Sequence, residues 1–384
     1  MLRFLGLILL ACAALADEAH PTLKIGSPAP DFSLPGVDGH THTLADYASS
    51  RVLAIVFMSN HCPVAQLYEA RIKRLVDDYQ SKGLALIGVN PNNPAGLQLD
   101  EMRFSDIGDT LEEDKIRAEF SHFNFPYLDD GETQSMAQAY GPATTPHIFI
   151  FDQQRKLRYE GRIDDNRRER LVKVQDARNA IEALLAGKAV VVPHTASFGC
   201  TIKWKAKAGL RLTEQERMDS EPVELAAKFS TPDDIAKLRG NANTGQLLLV
   251  TFWSESSPPS MEQLAKIVTI YRMYRRRDLA VVTVAVNPTD DMQAPLSVLK
   301  KAHASMQNIQ IASGRRFSSE AAFDSKWDGS LPYAAVIGTD GTLLYKQEGK
   351  GDDLQLRRLL LANLPAIFSG EYDPDRTRDY WLGK

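Results

Sequence analysis

The sequence predicts two consecutive α/β domains of one architecture, each a mixed β-sheet flanked by helices. A chain of 384 residues exceeds what one hydrophobic core usually holds. Apolar runs of strand length alternate with segments of helical periodicity, and the same order of elements occurs twice. The hydrophobic fraction of 43% and the charged fraction of 24% are typical of globular proteins and argue against disorder.

The first half opens with two extended segments between Gly26 and Leu44, separated by a turn at Asp38 and Gly39. Continuous apolar runs of strand length predict buried strands, and helical spacing of apolar residues predicts the helices between them. The predicted order is strand 52–58, helix 67–79 ended by Gly83, strand 84–89, hairpin 148–159 and helix 174–185.

The second half repeats this order. It predicts strand 247–253, helix 261–274, strand 279–286, a hairpin of strands 333–337 and 342–346, and helix 356–364. The charged, weakly periodic stretch between the halves predicts helical segments at most. We therefore predict a leader over 1–16, a first domain over 22–204, a connector over 205–243 and a second domain over 244–370.

The first residues predict an export signal. Arg3 precedes the apolar run 4–11, and Ala14-Leu15-Ala16 fits a cleavage site before Asp17. The run is too short for a membrane-spanning helix. A lipid anchor on Cys12 is the alternative interpretation of this segment. We expect a periplasmic or other extracytoplasmic location.

Net charge argues against nucleic acid as a partner. The formal charge is −4 over the whole chain. The basic runs 167–170 and 275–277 have acidic neighbours, so we expect both to be solvated surface.

Cys62 is the first candidate for chemistry, because it lies between a predicted buried strand and its helix. Pro63 suits the first helical position, which places Cys62 at the helix N-terminus. Unpaired N–H groups and the helix dipole stabilise a thiolate there, and His61 adds a neighbouring acid or base. The alternative is a buried, inert cysteine.

Several motifs together resemble the peroxiredoxin and thioredoxin-like superfamily, the AhpC/TSA-type redoxins. They are PAPDFSLPGVDG, NHCPVAQLYEARI, TTPHIFIFDQQRKLRYEGRIDDN and FGCTIKW, which span nearly all of residues 22–204. The resemblance implies a thioredoxin fold with a cis-proline turn beside Cys62. It also implies that His61, Pro63, Thr145 and Pro146 shape the site and orient substrate.

The motif departs from thioredoxins because Ala65 occupies the place of their second cysteine. Cys62 also matches the first thioredoxin cysteine, whereas the peroxidatic cysteine of peroxiredoxins usually aligns with the second. A thiolate that attacks substrate still needs a second thiol to resolve the product. Cys200 is the internal candidate, and a redox couple, a static disulfide and unpaired thiols stay open alternatives.

The second domain shows the same motif without its cysteines. VTFWSESSPPSMEQL resembles the CPPC segment of thioredoxin-like reductases, with Ser257 and Ser260 at the cysteine positions and Pro332 at the cis-proline. A serine hydroxyl is too weak an acid to replace a thiolate, and no G-x-S-x-G elbow surrounds Ser257. We predict a redox-inactive domain that binds a partner or covers the first.

The sequence predicts an exported thiol-disulfide oxidoreductase or peroxiredoxin-like antioxidant protein, with Cys62 as the single nucleophilic thiol. Its substrates would be protein thiols or disulfides, or small peroxides, with an unidentified reductant. Although His61, Cys62 and His147 could approach one another, no zinc spacing occurs, and we expect neither metal nor cofactor. The competing hypothesis is a non-catalytic thioredoxin-fold module in which a Cys62–Cys200 disulfide is structural or absent.

Overall fold

A computed structural model describes residues 20–226, 230–242, 244–287, 289–365 and 380–382. The predicted leader and Cys12 lie outside the described residues. Within the described part of the chain, no helix is long and apolar enough to cross a membrane.

The first sheet has five strands in the order β5-β4-β3-β6-β7. Strands β5, β4 and β3 are parallel to one another, β6 is antiparallel to β3, and β7 is antiparallel to β6. Alternate residues of β3 pack on opposite faces, Ala54 and Val56 in one core cluster and Ile55 and Phe57 in another. The elements are hairpin β1 (Ser33–Pro35) and β2 (Thr41–Thr43), β3 (Val52–Phe57), α1 (Pro63–Tyr79), β4 (Leu84–Asn90), α2 (Leu111–Phe120), β5 (Tyr127–Asp129), α3 (Ser135–Tyr140), β6 (His147–Phe151), β7 (Leu157–Gly161) and α4 (Asp176–Leu185).

The second sheet repeats this topology with the order β10-β9-β8-β11-β12. Its elements follow the connector helices α5 (Ala208–Asp219) and α6 (Pro232–Gly240). They are β8 (Leu247–Trp253), α7 (Pro258–Tyr274), β9 (Leu279–Ala285), α8 (Gln293–Lys301), β10 (Gln307–Gln310), α9 (Arg316–Phe323), β11 (Tyr333–Ile337), β12 (Leu343–Glu348) and α10 (Asp353–Asn363). The predicted fold class of tandem thioredoxin-like domains is confirmed, and the boundaries between the domains stay predictions.

The sequence pattern missed the elements between β4 and β6. Helix α2 buries Asp114 and Arg117, so its inward face carries no apolar periodicity that could reveal it. Strand β5 is only three residues long. In the second domain α8, β10 and α9 were missed in the same way.

The two domains are in contact, and the prediction that the run 275–277 is solvated surface holds only for Arg276. Arg276 is exposed, whereas Arg275 and Arg277 are partly buried. Arg276 pairs with Asp100. The Arg277 guanidinium donates to the Arg103 carbonyl over 2.9 Å and packs over the Phe104 ring. Leu99 and Met102 of the first domain pack against the core of the second.

Candidate active site

Cys62 caps the N-terminus of α1, where the sequence placed it. Pro63 is the first helical residue, and the Ala65 N–H donates to the Cys62 sulfur over 3.4 Å. The side chain is fully buried. The thiol lies at the carboxyl end of β3 with a backbone donor directed at it, an arrangement that favours the thiolate.

The turn before β6 lies directly beside Cys62. The Thr145–Pro146 peptide bond is cis, as the resemblance implied. The Thr145 carbonyl oxygen is 3.1 Å from the Cys62 sulfur, and the Thr145 hydroxyl is 3.0 Å from that of Ser59. The predicted juxtaposition of Cys62 with Thr145 and Pro146 is therefore present.

Cys200 reaches the same site from the segment that follows the first domain's last helix. Its backbone forms a two-bond antiparallel bridge with Thr145, at 2.9 and 3.1 Å. Gly199 permits this approach, since a Cβ there would lie 2.0 Å from the Thr145 carbonyl oxygen. The Cys200 side chain packs against the core cluster that contains Cys62, both cysteines are free, and of the two only Cys200 is partly exposed.

The electrostatics of the pair separate the two thiols. Burial opposes ionisation of Cys62, but the Cys200 hydrogen bond, the His61 charge and the Ala65 N–H together lower the pKa of Cys62 to about 6. The hydrogen bond to Cys62, together with burial, raises the pKa of Cys200. Cys62 is thus the thiolate of the pair, and Cys200 is the protonated donor.

His61 is paired with a residue that the sequence pattern missed. The His61 ring hydrogen-bonds through Nδ1 to the Asp109 carboxylate, and both side chains are buried. Burial disfavours the imidazolium, but the Asp109 charge and hydrogen bond raise the pKa of His61. Asp109 in turn accepts 2.8 Å and 3.0 Å hydrogen bonds from the Asn60 N–H and the Asn92 amide.

Two further charged groups lie close to this pair. Lys203 is buried three residues beyond Cys200, where its ammonium pairs with Glu101 over 2.5 Å. Asp114 lies behind Asp109 and accepts from the Asn60 and Asn90 amides, each over 2.7 Å. Burial, with the nearby Asp109 charge, raises the pKa of Asp114 well above its ordinary range.

His147 is not oriented toward a shared metal site. Its Nε2 bonds to Glu160 over 2.8 Å, and its Nδ1 accepts from the Ala143 N–H over 3.0 Å. Among the described residues no group of three histidine, cysteine or acidic side chains has the geometry to hold a metal ion. His147 lines the base of β6 and holds Glu160.

The second domain reproduces the site geometry with serine. Ser257 caps α7 and accepts from the Ser260 N–H over 3.4 Å, the counterpart of Cys62 and Ala65. The Leu331–Pro332 peptide bond is cis. Ser260 is fully buried and Ser257 is partly exposed.

The first domain is similar in sequence to known proteins. Residues 25–160 match the AhpC/TSA family. The matched part of the chain is thus a redoxin domain of the thioredoxin superfamily. The match covers the redoxin domain from the opening segment through β7, including Cys62, Thr145 and Pro146. It ends before Cys200 and does not reach the second domain. The likeness of the second domain to thioredoxin-like reductases therefore stays a prediction.

The redoxin domain is similar to proteins of two kinds. It is 27% identical over 136 residues to the thiol-disulfide oxidoreductase ResA of Geobacillus thermodenitrificans, covering 35% of this chain and 68% of that protein. It is 29% identical over 75 residues to peroxiredoxin Bcp of Escherichia coli, covering 20% of this chain and 48% of that protein. The chain thus spans about half the length of this peroxiredoxin.

Among solved structures, the chain is similar to a hypothetical protein from Sinorhizobium meliloti 1021. The two are 36% identical, and the match covers 48% of this chain and 97% of that one, with a TM-score of 0.43.

Proposed function

We propose that this protein is an exported two-cysteine thiol oxidoreductase, with Cys62 as nucleophile and Cys200 as resolving thiol. The observation that carries the proposal is the placement of two free cysteines at one turn: the Cys62 sulfur lies 3.1 Å from the Thr145 carbonyl oxygen, and the Cys200 backbone is bridged to Thr145. One is a helix-capping thiolate supported by His61, and the other is a protonated thiol held beside it by the Thr145 bridge.

The reaction with a disulfide substrate proceeds in two exchanges. The Cys62 thiolate attacks one substrate sulfur, forms a mixed disulfide and releases the other sulfur as a thiolate. That thiolate takes the proton lost by Cys200. The deprotonated Cys200 sulfur then attacks Cys62, forms the Cys62–Cys200 disulfide and releases the second substrate sulfur as a thiolate. The substrate disulfide gains two electrons, and an external dithiol returns the protein to its reduced form.

A small peroxide would enter the same cycle at Cys62. The thiolate attacks one peroxide oxygen, becomes a sulfenic acid and releases an alkoxide or hydroxide, which takes a proton from solvent to become an alcohol or water. Cys200 condenses with the sulfenic acid, which forms the same disulfide and releases water. The burial of Cys62 behind Cys200 favours small substrates at this sulfur.

His61 and the Thr145–Pro146 turn would shape the site around the thiolate, and Pro63 would help to present substrate at the helix terminus. The leader supports export to the periplasm or another extracytoplasmic compartment, where a disulfide persists. A lipid anchor at Cys12 is a second way to retain the exported protein. Ser257, Ser260 and Pro332 would form an inactive relic of the site.

The test is stoichiometric oxidation of the reduced full-length chain. Reduced protein is mixed with hydrogen peroxide or with oxidised glutathione, quenched with an alkylating reagent and mapped by mass spectrometry. We expect the Cys62–Cys200 disulfide in the natural protein. In Cys200→Ser we expect sulfenic acid or a glutathione adduct confined to Cys62, and in Cys62→Ser neither product above background.

The competing binding module predicts a different result. In that case Cys62 stays unmodified by both oxidants, or the disulfide forms once and resists reduction by dithiothreitol. Either outcome would remove the oxidoreductase proposal. Ser256→Cys, an exposed thiol on the second domain, is the control for non-specific oxidation.

A further inference from the structure

Several contacts from the second domain fall on one short segment, Arg103–Asp109, which ends at the carboxylate that holds His61. We propose that the second domain is a positioning element for the active site: it fixes this segment and thereby holds Asp109 against His61. The inference rests on the proposed function of Cys62, and it assigns a role in that chemistry to a domain without cysteines.

The second domain reaches the segment from two helices. From α7, the Tyr274 hydroxyl donates to the Ser105 carbonyl over 2.7 Å. From α10, Arg358 donates to the Asp106 carboxylate over 2.7 Å, and Arg357 donates to the Asp106 carbonyl over 3.1 Å. Tyr274 and Asp106 are fully buried, so these bonds are formed away from competing water.

The segment passes this constraint to the residues beside Cys62. Ser105 donates its hydroxyl to the Asn60 carbonyl over 3.2 Å, one residue before His61. The other oxygen of Asp106 accepts from Arg117 of α2 over 2.7 Å. Three residues further on, Asp109 receives the Asn60 N–H and the His61 ring. Buried charged bonds of this kind lose much of their free energy when one partner is removed.

The residues near the C-terminus add a second point of attachment on the same helix. The Tyr380 hydroxyl accepts from Arg117 over 2.5 Å and donates to the buried Glu69 over 2.9 Å. Trp381 packs into the core of the second domain. Arg117 is thereby held from both sides, by Asp106 and by Tyr380.

The titratable groups that face Cys62 and His61 come from the first domain. They are Asp109 in the segment before α2, Asp114 of α2 behind it, and Cys200 and Lys203 from the segment 200–204. The influence of the second domain is therefore one of position. It holds the loop, and no charged group from its described residues is among the causes of the pKa shifts of Cys62 and His61.

The experiment is a double-mutant cycle read on the acidity of Cys62 in the reduced full-length chain. One arm is Tyr274→Phe with Arg358→Gln, the second is Asp109→Asn, and the third combines all three changes. The rate of iodoacetamide alkylation of the Cys62 peptide is measured by mass spectrometry from pH 4 to 10. Tyr333→Phe is the matched control, since it removes a buried hydroxyl of the second domain that bonds only within that domain.

We expect the alkylation midpoint to rise by about one pH unit in each of the first two arms, because the imidazolium is no longer held by its carboxylate. The combined variant should show no further rise beyond the larger single effect, since both changes act through Asp109. Tyr333→Phe should leave the midpoint unchanged.

An unchanged midpoint in a cooperatively folded Tyr274→Phe, Arg358→Gln protein would overturn the inference, as would additive shifts. If that pair does not fold, Tyr274→Phe alone, which keeps the ring in place, gives the same reading. The measurement needs no turnover. If the oxidation test fails but the alkylation midpoints shift as expected, only the proposed function is overturned. If the oxidation test succeeds but the midpoints do not shift, only the inference is overturned.

Discussion

The Cys62 thiol owes its acidity to several small contributions that overcome burial. Desolvation of a thiolate raises a cysteine pKa, yet the Cys200 thiol, the His61 charge and the Ala65 N–H act together in the opposite direction. The capping position was predictable, because a strand, a cysteine and a proline adjoin in the sequence. The part played by Cys200 depends on a long-range approach that no local pattern records.

Removing the Cys200 thiol should make Cys62 a weaker acid. In Cys200→Ala we expect the pKa of Cys62 to rise from about 6 toward its ordinary value, because burial stays and one donor is lost. The pH dependence of Cys62 alkylation checks this. A midpoint at or below that of the natural protein would show that Cys200 does not stabilise the thiolate.

Asp114 should make the free energy of unfolding depend on pH. Its folded pKa is raised well above the ordinary value, so the folded chain keeps a proton that the unfolded chain releases above about pH 4. The contribution of Asp114 to the free energy of unfolding of the natural protein therefore falls as the pH rises. We expect Asp114→Asn to gain stability relative to it between pH 4 and 7, measured by urea denaturation. If the free energies of unfolding of the two proteins changed with pH in parallel, this would contradict a raised pKa of Asp114.

Asp109 marks the limit of residue-level prediction. His61 and Cys62 are adjacent, and the resemblance supplied Thr145 and Pro146, but Asp109 lies in a stretch with no apolar periodicity and no motif. Its partner Asn92 and its neighbour Asp114 also come from loops or from a helix with a polar inner face. A pattern search for apolar spacing has no signal there.

Among the elements, the strands were the most predictable and the segment 193–200 the least. Strands β3 and β8 are buried throughout, so their sequences are continuous apolar runs. The segment 193–200 is held to the sheet edge by backbone bonds, including Glu160 N–H to the Pro193 carbonyl and Thr195 N–H to Glu160, near 3.1 Å. Bonds made by backbone atoms place few demands on side chains.

Gly199 is the position in this segment where a side chain is excluded. In Gly199→Ala the Cβ would meet the Thr145 carbonyl oxygen, so the bridge must open and Cys200 must move away from Cys62. We expect slower formation of the Cys62–Cys200 disulfide and a loss of about 2 kcal/mol in the free energy of unfolding. Alkylation of samples quenched at successive times measures the rate of disulfide formation, and urea denaturation measures the free energy of unfolding.

The matched control is Gly209→Ala, because a Cβ there has open space around it and lies in α5. It should leave the rate of disulfide formation unchanged and preserve or increase stability. Equal rates in the two alanine variants would show that the Thr145 bridge does not set the position of Cys200.

Across the whole molecule, the repeated sheet order was predictable, whereas the way the two domains meet was not. Apolar periodicity reports which face of an element is buried, but it does not say which neighbour covers it. Arg277, which follows α7, is an example. Its sequence context is typical of a solvated basic run, but its guanidinium donates to the Arg103 carbonyl and packs over the Phe104 ring.

Ser257 and Ser260 of the second domain have the spacing and helix-capping geometry of a dithiol motif, so cysteines at these two positions should form a disulfide. We expect Ser257→Cys with Ser260→Cys to form a second, reducible disulfide, because these residues cap α7 and open its first turn beside Pro332. Mass spectrometry after alkylation counts the bonds. Ser256→Cys with Ser260→Cys, one residue out of register, is the control and should keep free thiols.

The exposed stretch before Cys200 has a consequence for how the redox state can be observed. Val191 is 92% exposed and precedes the backbone bonds that dock 193–200 on the sheet. A protease that nicks the chain at Val191 and Val192 would place Cys62 and Cys200 on different fragments. Oxidised protein would then migrate as one covalent species on a denaturing gel, and reduced protein as two.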